Sequence, residues 1–241
     1  MRKLLRAEIK KMRSVNIWWL VIAGGILPGI IACLTLYSQE KVEWPKLANL
    51  SLLSFNVQSL LTFAAFTTYM WAREYEENTI ELVLCYPYKR FYLVLVKLII
   101  LFFVIVFTVT FFFFTTLITG NGLIGSMLPK ELLFKLLKAL SHTGIMHFLL
   151  IPMYFCIAMI SKISISGLIF GIANMCICFA FSHTSFAQYI PQCIPYVIGD
   201  KLLGMNTIAA DYSLWVYYFI IAAVCTLSLM VAKVLADRLK K

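Results

Sequence analysis

Six apolar stretches of about twenty residues or more constrain this chain more than any other feature, because a helix needs about twenty apolar residues to cross hydrocarbon. They cover 17–37, 47–71, 91–119, 141–160, 163–182 and 214–235. Across the 241 residues, 62% are hydrophobic and 13% charged, with a mean hydropathy of +0.89. A soluble domain is nearer half apolar and a quarter charged. The expected fold is therefore an all-α integral membrane protein with six transmembrane helices.

The net charge of +10 would point to nucleic acid in a soluble protein. Here the basic residues gather at span ends, which is the positive-inside pattern. Fifteen of the 21 lie in residues 2–13, in 73–97, at Lys162 and in 233–241. The other six are Lys41, Lys46, Lys130, Lys135, Lys138 and Lys201. Both termini are thus expected in the cytoplasm, in a multi-pass plasma-membrane protein of bacterial type. Nucleic acid is not an expected partner; membrane lipid is.

Residues 1–15 read as an in-plane amphipathic helix, with Leu4, Leu5, Ile9, Met12 and Val15 on one arc and Arg2, Lys3, Arg6, Lys10 and Arg13 opposite. The first apolar run is too long for a cleaved signal and is expected to be retained. Its Gly24, Gly25, Pro28 and Gly29 suit close packing or a bend, packing being the expected use. A second amphipathic helix is predicted over 129–140, on the outer surface. The apolar but Pro-interrupted segment 183–213 suits a re-entrant element shielded by protein. Lys97, near the start of the third run, is expected to snorkel.

The second run is polar for a lipid-facing helix, carrying Asn49, Ser51, Ser54, Asn56, Gln58, Ser59 and Thr62. Such a face lines a cavity or bonds to neighbouring helices, and both readings stand. Asn56, Gln58 and, in the fifth run, Asn174 are the candidates for a translocation path; Asn174 equally suits close packing. Seven cysteines occur without a C-x-x-C pair, five of them inside apolar runs, and read as small buried side chains. The three histidines have no metal-ligand spacing. No metal site, catalytic residue or directly bound cofactor is expected.

No G-x-x-x-x-G-K-[ST] phosphate loop occurs, and no run carries an acidic residue near its centre, as an ion-coupled transporter would need. Energy for any movement must enter from outside the chain. The place for it is a charged island, Arg73 to Lys97, between the second and third runs. Within it, Asn78 tolerates a left-handed backbone and Thr79 is a good N-cap. Ile80, Leu82, Val83 and Leu84 then give a helix of one to two turns, Glu81 sits in its first turn, and Pro87 closes it.

The order E-x-x-E-x-T-x-x-x-x-L-x-x-P-x-x-R with a lysine seven residues on falls at Glu74, Glu77, Thr79, Leu84, Pro87, Arg90 and Lys97. It resembles the first cytoplasmic loop of ABC transporter permeases of the type-2 export class, which usually have Gly where this chain has Asn78. The resemblance implies a coupling helix, in loop 73–90, that docks on a separate ABC ATPase; two ATPase copies, with their ATP and Mg, would serve two permease subunits, identical or homologous. It further implies that Glu74, Glu77 and Arg90 make charged contacts to the ATPase and that Leu82 and Leu84 fill its groove, with Thr79, Glu81 and Pro87 in the same docking segment. The first, second and fifth spans would form the subunit interface, and the N-terminal helix would also touch the ATPase. Compact permeases of this kind resemble exporters of antimicrobial peptides, so amphipathic peptides or lipid-linked drugs are the expected cargo. The rival readings are a non-transporting membrane scaffold or sensor and, behind it, an intramembrane enzyme using Glu76 and Glu77.

Overall fold

A computed structural model of the chain describes residues 2–13, 17–39, 41–80, 91–205, 207 and 213–238. Every regular element among them is helical: α1 (Arg2–Arg13), α2 (Trp18–Leu36), α3 (Trp44–Glu76), α4 (Phe91–Ile124), α5 (Lys130–Ser161), α6 (Ile165–Phe181), a 3-10 turn (Ser185–Tyr189), α7 (Ile194–Leu203) and α8 (Leu214–Arg238). Five of these, α2, α3, α4, α5 and α8, are long and apolar enough to cross a membrane. The sixth expected span corresponds to α6, apolar but only 17 residues long, which at 1.5 Å per residue is about 25 Å.

α3 is the hub, with α2, α5 and α6 packed along it. Glycines set these distances. A Cβ on Gly24 would lie 2.6 Å from Thr62 Oγ1, and one on Gly25 2.8 Å from the Thr108 carbonyl, so α2 wedges between α3 and α4. On α6, Gly167 meets Thr68 and the Ala64 carbonyl, and Gly171 meets Leu61. The glycine patch of α2 is thus used for packing, and Pro28 sits inside an unbroken helix. Pairing 167 with 68 and 171 with 61 makes α6 antiparallel to α3.

The bundle has two chemically different ends. One gathers α1, the end of α3, the start of α4 and the α5–α6 turn, over a core that includes Met12, Phe66, Trp71, Val94, Phe155 and Ala236. Around the other, Leu52, Phe55, Phe112, Leu140, Tyr196, Ile198 and Tyr217 form a second core. Trp44 closes that end, its indole N–H donating to the Ser126 carbonyl at 3.0 Å.

Two expectations are corrected. The outer amphipathic helix over 129–140 and the span over 141–160 are one unbroken helix, α5, because nothing between Ala139 and Gly144 stops it: Ser141 and His142 bond back to the Lys138 carbonyl at 2.9 and 2.8 Å. An amphipathic face and an all-round apolar face can follow each other on one helix. The third span likewise runs on through the expected loop at 120–125 as far as Ile124, since Gly120 is held in the helix under Trp44. On α1, Met12 and Glu8 are buried, Leu4 and Leu5 pack against the core, and Ile9 is 52% exposed.

Segment 183–213 contains a buried helix. α7 starts beyond Cys193 with Pro195 in its first turn, a position where the missing N–H costs nothing. Seven of its first residues, Ile194 to Asp200, are buried against α3 and α5. Thr143 donates to the Pro195 carbonyl at 3.3 Å, and Asp200 accepts from the Thr207 amide and hydroxyl at 2.8 and 2.7 Å.

Candidate functional site

Loop 81–90 lies outside the described residues, and with it the expected docking residues Glu81, Leu82, Leu84, Pro87 and Arg90. Its two flanks are described, and the structure ties them to each other and to the N-terminus. α3 ends at Glu76 in a left-handed turn: Asn78 has φ 54°, the Thr79 amide donates to the Glu74 carbonyl at 3.0 Å, and the Asn78 amide to the Tyr75 carbonyl at 3.1 Å. Asn is one of the few non-glycine residues that take this conformation at low cost, and the bond pair is a Schellman stop.

Glu74, whose carbonyl takes that turn's bond, also directs the packing beneath it. Its Oε1 accepts from Lys97 Nζ at 3.0 Å and from Lys11 Nζ at 3.2 Å. Lys97, on α4 and 0% exposed, donates further to the Met70 carbonyl, lies 3.5 Å from Glu8 Oε2, and sits 5.1 Å from the centre of the Trp71 ring. Lys11 also reaches Glu8 at 3.0 Å. Two carboxylates and two ammonium groups thus join α1, α3 and α4 in one alternating cluster. Buried charge survives only when paired and hydrogen-bonded, and this quartet nearly meets the condition, except that Glu74 Oε2 is buried without a hydrogen-bond partner among the described residues.

The electrostatics follow from the contacts. Burial alone would push the Glu8 carboxyl up, but Lys97 and Lys11 outweigh it and hold it below the usual carboxylate range. Burial would lower the Lys11 ammonium, but Glu74 and Glu8 outweigh it and raise it.

Two more side chains finish the end of α1, whose last carbonyls have no helical partners. Arg73 Nη1 donates to the Lys11 carbonyl at 3.1 Å and Trp18 Nε1 to the Met12 carbonyl at 3.1 Å. On the other side of α3, Glu76 accepts from the Ser164 amide and hydroxyl, both at 2.7 Å, so a carboxylate of one helix caps the N-terminus of α6, where the dipole favours it. Lys162, left-handed with φ 58°, places its ammonium 5.4 Å from the Tyr75 ring centre.

The sequence-predicted residues therefore separate. Glu74 is 3% exposed and faces inward, so its carboxylate is not presented to a partner; the expected outward role is corrected by its pairing with Lys97. Lys97 does not snorkel, for the same reason. Glu77, just past the end of α3, is exposed and among the described residues is paired with Arg73, at 3.2 Å; Thr79 lies two residues further on in the turn. The intramembrane-enzyme reading loses its pair, since Glu76 holds Ser164 while Glu77 holds Arg73.

Asn56 and Asn174 are buried inside the α3–α6 contact. Asn56 Nδ2 donates to Cys178 Sγ at 3.1 Å and to the Gln192 carbonyl at 3.3 Å; Asn174 donates to the Phe170 carbonyl of its own helix at 2.7 Å. Gln58, half-buried, accepts through its carbonyl from Thr62 at 3.1 Å. Asn56 and Asn174 thus donate within the protein, while Asn56 Oδ1 and Thr67 Oγ1 on the same face of α3 are buried without a hydrogen-bond partner among the described residues. His147, passed over in the sequence, is buried in α5 with Nε2 2.8 Å from Ser59 Oγ and rings of Phe55 and Phe63 around it. Glu8 was also missed. The signal for it was present: a lone acid in a basic helix and a lone lysine in an apolar run each need a partner.

The family model described as ABC-2 family transporter protein matches residues 4–181, well over half of the chain and the whole of α1 to α6 apart from the first residues. No curated protein matches the chain.

Proposed function

The chain belongs to the ABC-2 family of transporter proteins, and from that premise we propose that it is the membrane-spanning subunit of an ATP-driven exporter powered by a separate ATPase. The observation that carries this reading is the charge quartet of buried Glu8, Glu74 and Lys97 with half-buried Lys11, which binds together the two helices that flank loop 81–90 and the amphipathic helix beside them. A force applied to that loop would pass into α3 and α4 as a unit, and α3 is packed against α2, α5 and α6.

In this reading Thr79 to Leu84 is the coupling helix, Leu82 and Leu84 enter a groove of the ATPase, and Glu77, Glu81 and Arg90 contact its rim. Glu74 works one layer behind, holding the lever to the bundle. Two ATPases act on two membrane subunits, and ATP and Mg reside on the partner. The route lies between two copies rather than inside one, since Asn56 and Asn174 are engaged within the chain. α2 and α6 flank α3 and leave Leu27, Ile30 and Ile31, and Ile169, Ile172 and Phe179, exposed for such an interface or for lipid. Amphipathic peptides and lipid-linked drugs are the cargo proposed, on the strength of Lys130, Lys135 and Lys138 at the end opposite the quartet.

Purifying the native assembly tests this. The wild-type chain is expected to bring down a nucleotide-hydrolysing subunit, and Glu77→Ala and Leu82→Asp to lose it. Undiminished association in both variants, or no such subunit at all, would overturn the reading and favour a scaffold.

A further inference from the structure

The outward face of α1 carries a strip of positive charge that no acid of that helix answers. Arg2, Arg6 and Lys10 follow one another at four-residue spacing, and Lys3 and Arg13 fall on the same arc. Like charges at that spacing destabilise a helix, so the strip calls for an anion from outside it. Glu8 does not supply one, because it is buried on the opposite arc against Lys97 and Lys11. Arg6 and Lys10 are exposed, and among the described residues neither pairs with a carboxylate. Ile9, an exposed apolar side chain, lies beside them.

The fold fixes the depth of this strip. Trp18 and Trp19, both exposed, open α2, which is long and apolar enough to cross a membrane, and indoles gather where such helices leave the hydrocarbon. Trp18 Nε1 donates to the Met12 carbonyl at 3.1 Å, which holds the end of α1 at that boundary. α1 also packs beside the start of α4, where Tyr92 is another exposed aromatic in the first turn. α1 therefore runs through the headgroup layer, with Ile9 at the edge of the hydrocarbon. We propose that this face binds anionic phospholipid, whose phosphate oxygens accept charge-assisted hydrogen bonds from Arg6 and Lys10 and cancel the repulsion along the strip. An acidic surface of the ATPase is the competing partner; the boundary tryptophans and Ile9 favour the lipid. Because the inward arc of the same helix carries Glu8 and Lys11, headgroups seated on α1 also steady the charge quartet, with or without an ATPase.

The test places the full chain in nanodiscs of phosphatidylcholine alone or mixed equally with phosphatidylglycerol and reads the thermal midpoint at low and high salt. The wild type is expected to gain several degrees from phosphatidylglycerol and to lose most of that gain at high salt, where exposed charge is screened. Arg6→Gln combined with Lys10→Gln should fold with an unchanged or higher midpoint in phosphatidylcholine but lose most of the gain, whereas Lys130→Gln combined with Lys138→Gln, exposed at the other end, should keep it. Native mass spectrometry should find phosphatidylglycerol retained on the wild type and depleted on the Arg6 and Lys10 double variant. Glu77→Ala, expected to lose the ATPase, should keep the full gain, so the two readings fail separately. No gain in the wild type, or an equal gain in the Arg6 and Lys10 double variant, would overturn the proposal. So would a double variant that keeps the gain and loses a co-purifying nucleotide-hydrolysing subunit, which would assign the face to the ATPase.

Discussion

At the scale of single residues, Glu74 is the point where local and tertiary structure meet: its carbonyl receives the bond that stops α3, and its carboxylate anchors Lys97 and Lys11. Breaking a buried ion pair from one side leaves an uncompensated charge and costs on the order of 3–5 kcal/mol, whereas removing both partners for apolar groups is close to neutral. Lys97→Met is therefore expected to lower stability by about that amount, and Glu74→Leu combined with Lys97→Met by much less, as read by thermal unfolding in detergent. Equal losses would mean that the pair is not coupled. The same cluster sets a pH dependence. Glu8 is held below the usual carboxylate range, so its contribution is present above that range and fades as pH falls through the depressed value; Lys11, held above the usual lysine range, contributes below it and fades as pH rises through the raised value. Thermal stability should fall on acidification below about pH 5, and Glu8→Gln should be less stable at neutral pH but flatter across that acid limb. An identical acid limb in the variant would remove Glu8 from the account.

At the scale of elements, the close approach of α6 to α3 depends on Gly167. A methyl there would overlap Thr68 and approach the Ala64 carbonyl to 2.8 Å. Gly167→Ala is expected to cost about 1–3 kcal/mol through overpacking. Thr68→Ala should restore only part of it, because the backbone contact remains; a double-mutant cycle in thermal unfolding checks this. The elements also show what could be read from the chain and what could not. Apolar runs located the crossing helices, and Asn78 marked the end of α3, because both signals are local. The joining of 129–140 to 141–160 was not legible, since a change in amphipathicity resembles a boundary although no residue there interrupts the helix. That Glu8 pairs with Lys97 depends on which helices become neighbours: the sequence marks each as a charge in need of a partner but not which partner it finds.

At the scale of the whole molecule, the two ends differ in what fills them. The end with the quartet gathers α1, the end of α3, the start of α4 and the α5–α6 turn, while the other end is filled by Trp44, α7 and the long start of α5. An ABC-2 family chain with this division is suited to receive force at one end and pass it through α3. The central claim is that residues 73–90 meet the ATPase, and photo-crosslinking groups placed at Glu77 and at Leu82 in native membranes test it most directly. Both positions are expected to capture a nucleotide-hydrolysing subunit, and the same group at Met127, 89% exposed at the opposite end, is not. Capture of no such subunit from Glu77 or Leu82, or equal capture from Met127, would contradict it.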